Sequence, residues 1–274
     1  MIEVKNVSYT YAVGTPFEKN ALREISFSVS EGDFLAIAGH TGSGKSTLIQ
    51  IIAGLIDLQS GAVEVDGESI GVQTARRKIG IVFQYPEHQL FEETVAKDIA
   101  FGPRNFGLSE TEISKRVEEA MKFVGLDFAL KDVSPFELSG GQKRRVAIAG
   151  ILALKPKYLI LDEPTAGLDP KARRNLLAEI KKLHRAGVTI VFVSHSMEDI
   201  ANLARRAVVL AQGRILFDGE PRKLFAQEKI LDAAGLLPPP VTQLILELNR
   251  AGLSVDAGAM TLDEAEREIL RRLN

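Results

Sequence analysis

Cysteine is absent from the 274 residues. That excludes disulfides, thiolate catalysis and cysteine-based metal sites, and is compatible with a reducing cytoplasm. Also missing is any apolar run near the length of about 18 residues that spans a bilayer, so work at a membrane would require a partner. No block of consecutive basic residues occurs and the formal net charge is −2, so no nucleic-acid or anionic-lipid surface is advertised. Short clusters such as Lys143–Arg145 read as solvated helix faces. There is no internal repeat, and no low-complexity tract beyond Pro238-Pro239-Pro240. The opening MIEVKNVSYTY alternates polar and apolar residues without a basic stretch and apolar core, which predicts a strand rather than a signal peptide. The remainder, 45% hydrophobic and 26% charged, suits a globular protein with one main core and a small appendage.

Four continuous apolar runs, Phe34–Ala38, Ile79–Phe83, Tyr158–Leu161 and Val188–Val193, have the uniformity of strands buried on both faces. Separated by helical patterns, they predict an α/β fold, a parallel sheet with helices on both sides. The start of the chain differs. Ile2–Val7, Ile25–Val29 and Val63–Val65 are short alternating segments split by Gly and Asp turns, which predicts an antiparallel sheet. Between Gln84 and Lys155 the pattern turns helical and polar; Ser109–Val124 carries an amphipathic repeat and Ser134-Pro135 breaks it, marking a helical arm over about residues 85–155. Two apolar stretches flanking Gln212-Gly213 within Arg206–Phe217 read as a hairpin. The main domain thus covers residues 1–219, and 220–274 form a helical extension. There Val241, Leu244, Ile245 and Leu248 share a face ended by Gly252, and Thr261 with Glu264 opens a last helix with the stripe Leu262, Ala265, Ile269 and Leu273. Apolar faces without a home in the main core predict dimerisation through this extension.

Chemistry concentrates in a few short segments. Gly39-His40-Thr41-Gly42-Ser43-Gly44-Lys45-Ser46, continued by Thr47, lies between a strand and a helix. Glycines there let backbone N–H groups turn around the β- and γ-phosphates of ATP, Lys45 supplies a positive charge, and the Ser46 hydroxyl can ligate Mg²⁺. Leu138-Ser139-Gly140-Gly141-Gln142 puts a serine and two glycines at the start of another helix, a second anion site. Asp162 and Glu163 follow the strand Tyr158–Leu161, at the carboxyl edge where α/β sheets bind ligands; Asp162 suits the Mg²⁺ shell and Glu163 the attacking water. By the same geometry His195 stands within reach of a γ-phosphate, and Gln84 can offer its amide oxygen to Mg²⁺ or the lytic water. Tyr11 can stack on adenine, with Tyr9 the competing candidate on the same side of the strand. His184 reads as solvated on a helix.

In combination these residues resemble the ABC-type ATPases. Gly39–Ser46 resembles the family's Walker A motif, Gln84 its Q-loop, Leu138–Gln142 its signature, Leu159–Glu163 its Walker B motif, Ala166–Asp169 its D-loop and His195 its switch histidine. Ala166-Gly167 replaces the commoner Ser-Ala before Leu168-Asp169 and leaves the aspartate intact. The resemblance implies a P-loop, RecA-like core with an N-terminal antiparallel β subdomain, a helical signature subdomain, and ATP and Mg²⁺ as cofactors. It further implies ATP hydrolysis coupled to transport, by two subunits facing head to tail, each ATP lying between one phosphate loop and the other subunit's signature, with Asp169 in the D-loop. A structural ATPase of DNA maintenance, the remoter alternative, carries a long coiled coil between phosphate loop and signature, where no sustained heptads occur here. A translation-associated ATPase normally holds two motif sets, and this chain holds one.

A narrower resemblance lies in Gln84-Tyr85-Pro86-Glu87-His88-Gln89-Leu90-Phe91, which is similar to the segment after the Q-loop in energy-coupling factor (ECF) vitamin and metal importers. Thr15–Glu18, Pro135–Glu137, Ser194–Asp199 and the C-terminal extension also look like that group, most of all like the second of its two paralogous ATPases. The implied partners are a second ABC-type ATPase (self or paralogue), a transmembrane coupling protein and a membrane substrate-binding component. No nucleic acid is implied, and the membrane is met only through partners, at its cytoplasmic face. A conventional importer with a soluble binding protein is the alternative. Pro86, Glu87, Gln89, Leu90 and Phe91 are the expected coupling residues: Leu90 and Phe91 as an apolar anchor, and Glu87, near Glu92 and Glu93, as first choice to meet an arginine of the membrane partner.

Overall fold

The computed structural model describes residues 1–71, 73–253, 255–256 and 258–273, without the side chains of Thr74, Arg76 and Leu273. It divides into two compact units, Met1–Gly71 with Val191–Asn274, and Val72–Ile190. In the first unit β1 (Ile2–Tyr11) runs antiparallel to β2 (Lys19–Val29), β3 (Phe34–Ala38) leads into α1 (Lys45–Ile52), and β4 (Ser60–Val65) and β5 (Glu68–Ser69) complete a four-stranded sheet in the order β2-β1-β4-β5. Alternation sets Ile2, Val4 and Val7 of β1 opposite Val29, Phe27 and Ile25 of β2, all buried. β1 outruns its expected end at Val7. A register shift after Val4, with Asn6 at φ 49°, absorbs extra chain, so that pairing continues to Tyr11.

The second unit starts with α2 (Gln73–Lys78) and β6 (Ile79–Val82). The helical arm follows as α3 (Val95–Asn105), α4 (Glu110–Phe123) and α5 (Gly140–Leu152). The boundaries of α4 agree with the sequence because its caps are local: Ser109 Oγ accepts from Glu112 N–H at 3.3 Å, and Ile113, Val117, Ala120 and Met121 form one buried face. β7 (Tyr158–Asp162), α6 (Pro170–Arg185) and the start of β8 (Thr189–Val193) complete the unit. β6 and β7 pair in parallel, from Ile79 opposite Tyr158 to Val82 opposite Leu161. Gly80 is required in β6, since a Cβ there would meet Ile151 of α5 at 2.7 Å and Pro156 at 2.9 Å.

The end of β8 belongs to the first unit, followed by α7 (Met197–Leu203), β9 (Arg206–Ala211) and β10 (Arg214–Gly219) in the strand order β10-β9-β3-β8. β9 is parallel to β3, and β10 returns antiparallel through the Gln212-Gly213 turn. α8 (Pro221–Phe225) and α9 (Glu228–Ala233) come next, then α10 (Pro240–Arg250) and α11 (Leu262–Leu273). Leu224, Phe225, Leu231, Ala234 and Leu236 pack in one core with Ala36, Ala38, Ala207 and Val209. α8 and α9 therefore have a home against β3 and β9. α10 and α11 enclose a smaller core of Ile245, Val255, Ala259 and Ala265, with Val241 and Ile269 against it.

The expected face of α10 is corrected at Leu244, which is 46% exposed; Thr242 turns inward instead, its hydroxyl donating to Ala259 O at 3.2 Å. Leu262, expected in the α11 stripe, is 74% exposed at the first position of that helix. The side chain of Leu273 lies outside the described residues.

Candidate functional site

In the first unit, β3 is buried along its whole length and ends in the glycine loop. Three glycines adopt left-handed φ: Gly39 at 150°, Gly42 at 84° and Gly44 at 108°. They differ in their surroundings. A Cβ on Gly39 would lie 2.2 Å from Leu210 O and 2.6 Å from Ser43 Oγ, and one on Gly44 would lie 2.5 Å from Ala21 O, whereas at Gly42 the nearest such atom is Lys19 Nζ at 4.0 Å. The loop is thus pressed against β2 and β9 at both ends and open in its middle. Lys45 Nζ donates to Gly39 O (2.7 Å) and His40 O (3.1 Å), holding the loop in a ring around its ammonium. Ser43 N–H donates to His40 O at 3.1 Å, and the Ser43 side chain is buried with its Oγ lacking a hydrogen-bond partner. His40 Nδ1 lies 2.7 Å from Thr41 O. Thr41, Gly42 and Ser46 are exposed at the mouth.

By its sequence Gln212-Gly213 reads only as a hairpin turn. In the structure it is also a clasp: Gly213 N–H donates to Ser43 O at 3.1 Å while Arg23 N–H donates to Gly213 O at 2.7 Å. Nothing local signals this role, because the contact joins residues far apart in the chain. Tyr11 stands over the start of α1, its hydroxyl 3.1 Å from that of Thr47, and Tyr9 meets the Tyr11 ring edge-on at a centroid distance of 4.9 Å. The Tyr11 side chain is thus placed against the loop's helix. His195 is exposed just past β8, in a segment pinned by Ser194 N–H to Ile37 O (3.2 Å) and by Ser196 N–H to Ser194 Oγ (3.0 Å).

In the second unit, β7 delivers a buried Asp162 and then Glu163, half-buried with φ 47°. Such a left-handed backbone at a non-glycine residue is strained and is found disproportionately at functional sites. Ala166 N–H closes the following turn onto Glu163 O at 3.1 Å. Asp169 caps α6, accepting from Lys171 N–H (2.8 Å) and Ala172 N–H (2.9 Å), and the Ala172 bond first, then the Lys171 bond, holds its carboxyl below the ordinary value. At the signature, Leu138 is buried and Ser139 caps α5: its N–H donates to Gln142 Oε1 at 3.0 Å and its Oγ accepts from Gln142 N–H at 3.4 Å. Gly140 and Gly141 are exposed with no atom within 4 Å of an added Cβ.

Gln84 is exposed after β6, Tyr85 takes φ 58°, and Pro86–Gln89 form a 3-10 turn. Of the expected apolar anchor, Leu90 is buried at 7% exposure while Phe91 is 57% exposed. Phe91 meets Phe101 edge-on at 4.8 Å beside a groove of about 300 Å³ lined also by Gln89, Leu90 and Leu154. The Asp98 carboxylate fixes this turn, accepting from Phe91 and Glu92 N–H groups at 3.0 and 3.1 Å. Glu87 is half-buried, and its Oε2 is buried without a hydrogen-bond partner. The reading of Lys143–Arg145 as a solvated face is corrected at Arg144, which is buried at 5% exposure because it has backbone carbonyls to hold.

A glycine loop between a parallel strand and a helix, its lysine folded back on the loop's own carbonyls, is the phosphate-binding device of P-loop nucleotidases. The model of the family described as ABC transporter matches residues 22–166. The energy-coupling factor transporter ATP-binding protein EcfA2 of Clostridium tetani is 50% identical over 280 residues, covering 100% of this chain and 97% of that protein. Among solved structures, CbiO1 of Clostridium perfringens, described as part of the ABC transporter complex CbiONQ, superposes with a TM-score of 0.75 at 37% identity over 92% of this chain and 96% of its own. The ATP-binding cassette MJ0796, a dimer in a post-hydrolysis state with ADP and Pi, gives 0.71 at 32% identity over 81% and 99%. The chain belongs to the ABC transporter family, in its branch of energy-coupling factor ATP-binding proteins. The activity of that family is ATP hydrolysis coupled to transport.

Proposed function

We propose that this chain is one of two ATPases of an ECF-type importer of vitamins or metal ions, binding MgATP at its own phosphate loop and completing its partner's site with its signature helix. The observation that carries the reading is the enclosed loop at Gly39–Ser46, already formed around the Lys45 ammonium, with its middle open to phosphate. Tyr11 would stack on adenine, and His40–Thr47 would line the phosphates. Ser46, Gln84 and Asp162 are hard oxygen donors of the kind Mg²⁺ takes alongside substrate phosphates; when bound, that ion neutralises charge on the phosphates. Glu163 would orient and deprotonate water, and His195 would meet the γ-phosphate. Ser139–Gln142, with Leu138 buried beneath them, would close on the partner's ATP, with Asp169 of the D-loop at the same junction.

No described helix is long and apolar enough to cross a membrane. A transmembrane coupling protein would therefore hold the chain at the cytoplasmic face, docking on Pro86–Phe91 with Phe91 and Phe101 as the exposed apolar contact. A membrane substrate-binding component would complete the importer. The relatives favour this over a conventional importer, since they are energy-coupling factor transporter ATP-binding proteins. The test is Glu163→Gln in the assembled transporter, which should bind MgATP and lower kcat by about 10²-fold or more. Wild-type turnover in that variant would overturn the assignment. Lys45→Ala should fail earlier, at nucleotide binding.

A further inference from the structure

Arg144 carries a charge that it cannot shed, so its burial in the second unit demands acceptors. Two backbone carbonyls supply them: one guanidinium nitrogen donates to Ala166 O at 3.1 Å and the other to Pro164 O. Both carbonyls belong to the turn that follows Glu163 and opens the D-loop. The third donor, Nε, is buried without a partner, and so is Glu87 Oε2 on the docking turn. Burial disfavours the charged guanidinium, and the Glu87 carboxylate opposes that effect. The chain before the docking turn also approaches the D-loop, for the Tyr85 ring lies 3.5 Å from where a Cβ on Gly167 would stand. One buried cation of the signature helix is thereby bonded to the D-loop turn, while its helix packs on the docking turn that carries Glu87.

The two buried polar atoms, Arg144 Nε and Glu87 Oε2, are each unbonded, which costs free energy, and they belong to elements that pack on one another, α5 and the Pro86–Gln89 turn. We propose that Arg144 is a positioning residue for ATP hydrolysis, linking the docking turn at Glu87 to the Pro164–Ala166 backbone. Displacement of the Pro86–Gln89 turn by a docked membrane partner moves the anion that balances the guanidinium. The grip on the Pro164 and Ala166 carbonyls shifts with it, and so do Glu163 before them and Asp169 after them. The proposal rests on the functional reading above for the roles of Glu163 and of the docking segment.

The experiment is a double-mutant cycle in the assembled transporter, with Glu87→Gln, Arg144→Gln and the pair, reading kcat and the KM for ATP. Arg144→Gln should lower kcat about tenfold, within the range that coupling residues reach, while KM stays within about twofold. Glu87→Gln should lower kcat less, and should add nothing in the Arg144→Gln background. Arg144→Lys, which keeps the charge but loses the fork, should recover only part of the rate; it replaces Arg144→Gln in the cycle if that variant does not fold. Independent, multiplying effects on kcat, or a loss confined to KM, would overturn the link. Glu163→Gln run in parallel separates the two failures: wild-type turnover there sinks the functional reading itself, whereas lost turnover there with an additive cycle sinks only the role of Arg144.

Discussion

The helix starts at Lys45 and at Gly140 are both candidate anion sites through their first-turn N–H groups, yet they are built in opposite ways. At Lys45 the approach is walled by Leu210, Ala21 and Leu22, clasped by Gly213, and threaded by a lysine bonded to its own loop. At Gly140, among the described residues, nothing stands within 4 Å of a Cβ added to either glycine, and a capping box between Ser139 and Gln142 orders the start. A walled start is preorganised for its ligand within one chain. An open start, capped but uncovered, lacks that enclosure, which is the physical content of assigning it to a partner's nucleotide.

The largest expected effect comes from Gly39→Ala. Its Cβ would be driven into the Leu210 carbonyl, a backbone atom that cannot rotate away, so we expect a stability loss of about 3 kcal/mol or more, together with loss of ATP binding. Thermal melting and nucleotide titration check both; a variant that melts and binds normally would break the contrast at its walled end. Gly141→Ala asks the reverse question at the open end. Alanine in the first turn of α5 meets nothing and restrains the unfolded chain, so melting should rise by about 2 °C. ATP-driven pairing and turnover should nonetheless fall tenfold or more, because a partner's phosphate could no longer approach the backbone closely. Full turnover in that variant would show that the open start receives no phosphate.

A smaller effect is expected on removing residues beyond Pro238. The loss takes α10 and α11 with their separate core but spares Leu224, Phe225, Leu231 and Leu236 against β3 and β9. Exposed Leu244, Leu262 and Leu270 go with them. ATP affinity should stay within about twofold, since phosphate contacts are untouched. If this extension holds two ATPases together at rest, sedimentation should show nucleotide-free dimers becoming monomers; an already monomeric full-length protein would exclude that role. The smallest effect is expected at Asp169. Its carboxyl is held below the ordinary value by two N–H groups, so its contribution is complete above the pKa of the unfolded chain and is lost as pH falls through the lower folded value. Asp169→Ala should remove that acid dependence, and melting curves at neutral and acid pH would show whether it does.

What the sequence by itself determined is what short-range chemistry decides. Phe34–Ala38 and Tyr158–Leu161 are strands because uninterrupted apolar runs must be covered on both faces, α4 begins at Ser109 because a hydroxyl bonds an N–H three residues on, and the loop's glycines are legible from spacing alone. Tertiary structure decided everything that depends on a distant neighbour. Arg144 looks like its flanking basic residues until the Pro164 and Ala166 carbonyls are brought to it. Gly213 looks like any hairpin glycine until Ser43 O arrives. Leu244 leaves the face expected of it while Thr242 turns inward, where Ala259 O offers the threonine a partner. In each case the deciding atom is a backbone carbonyl from elsewhere in the chain, and carbonyls leave no mark on a side-chain pattern.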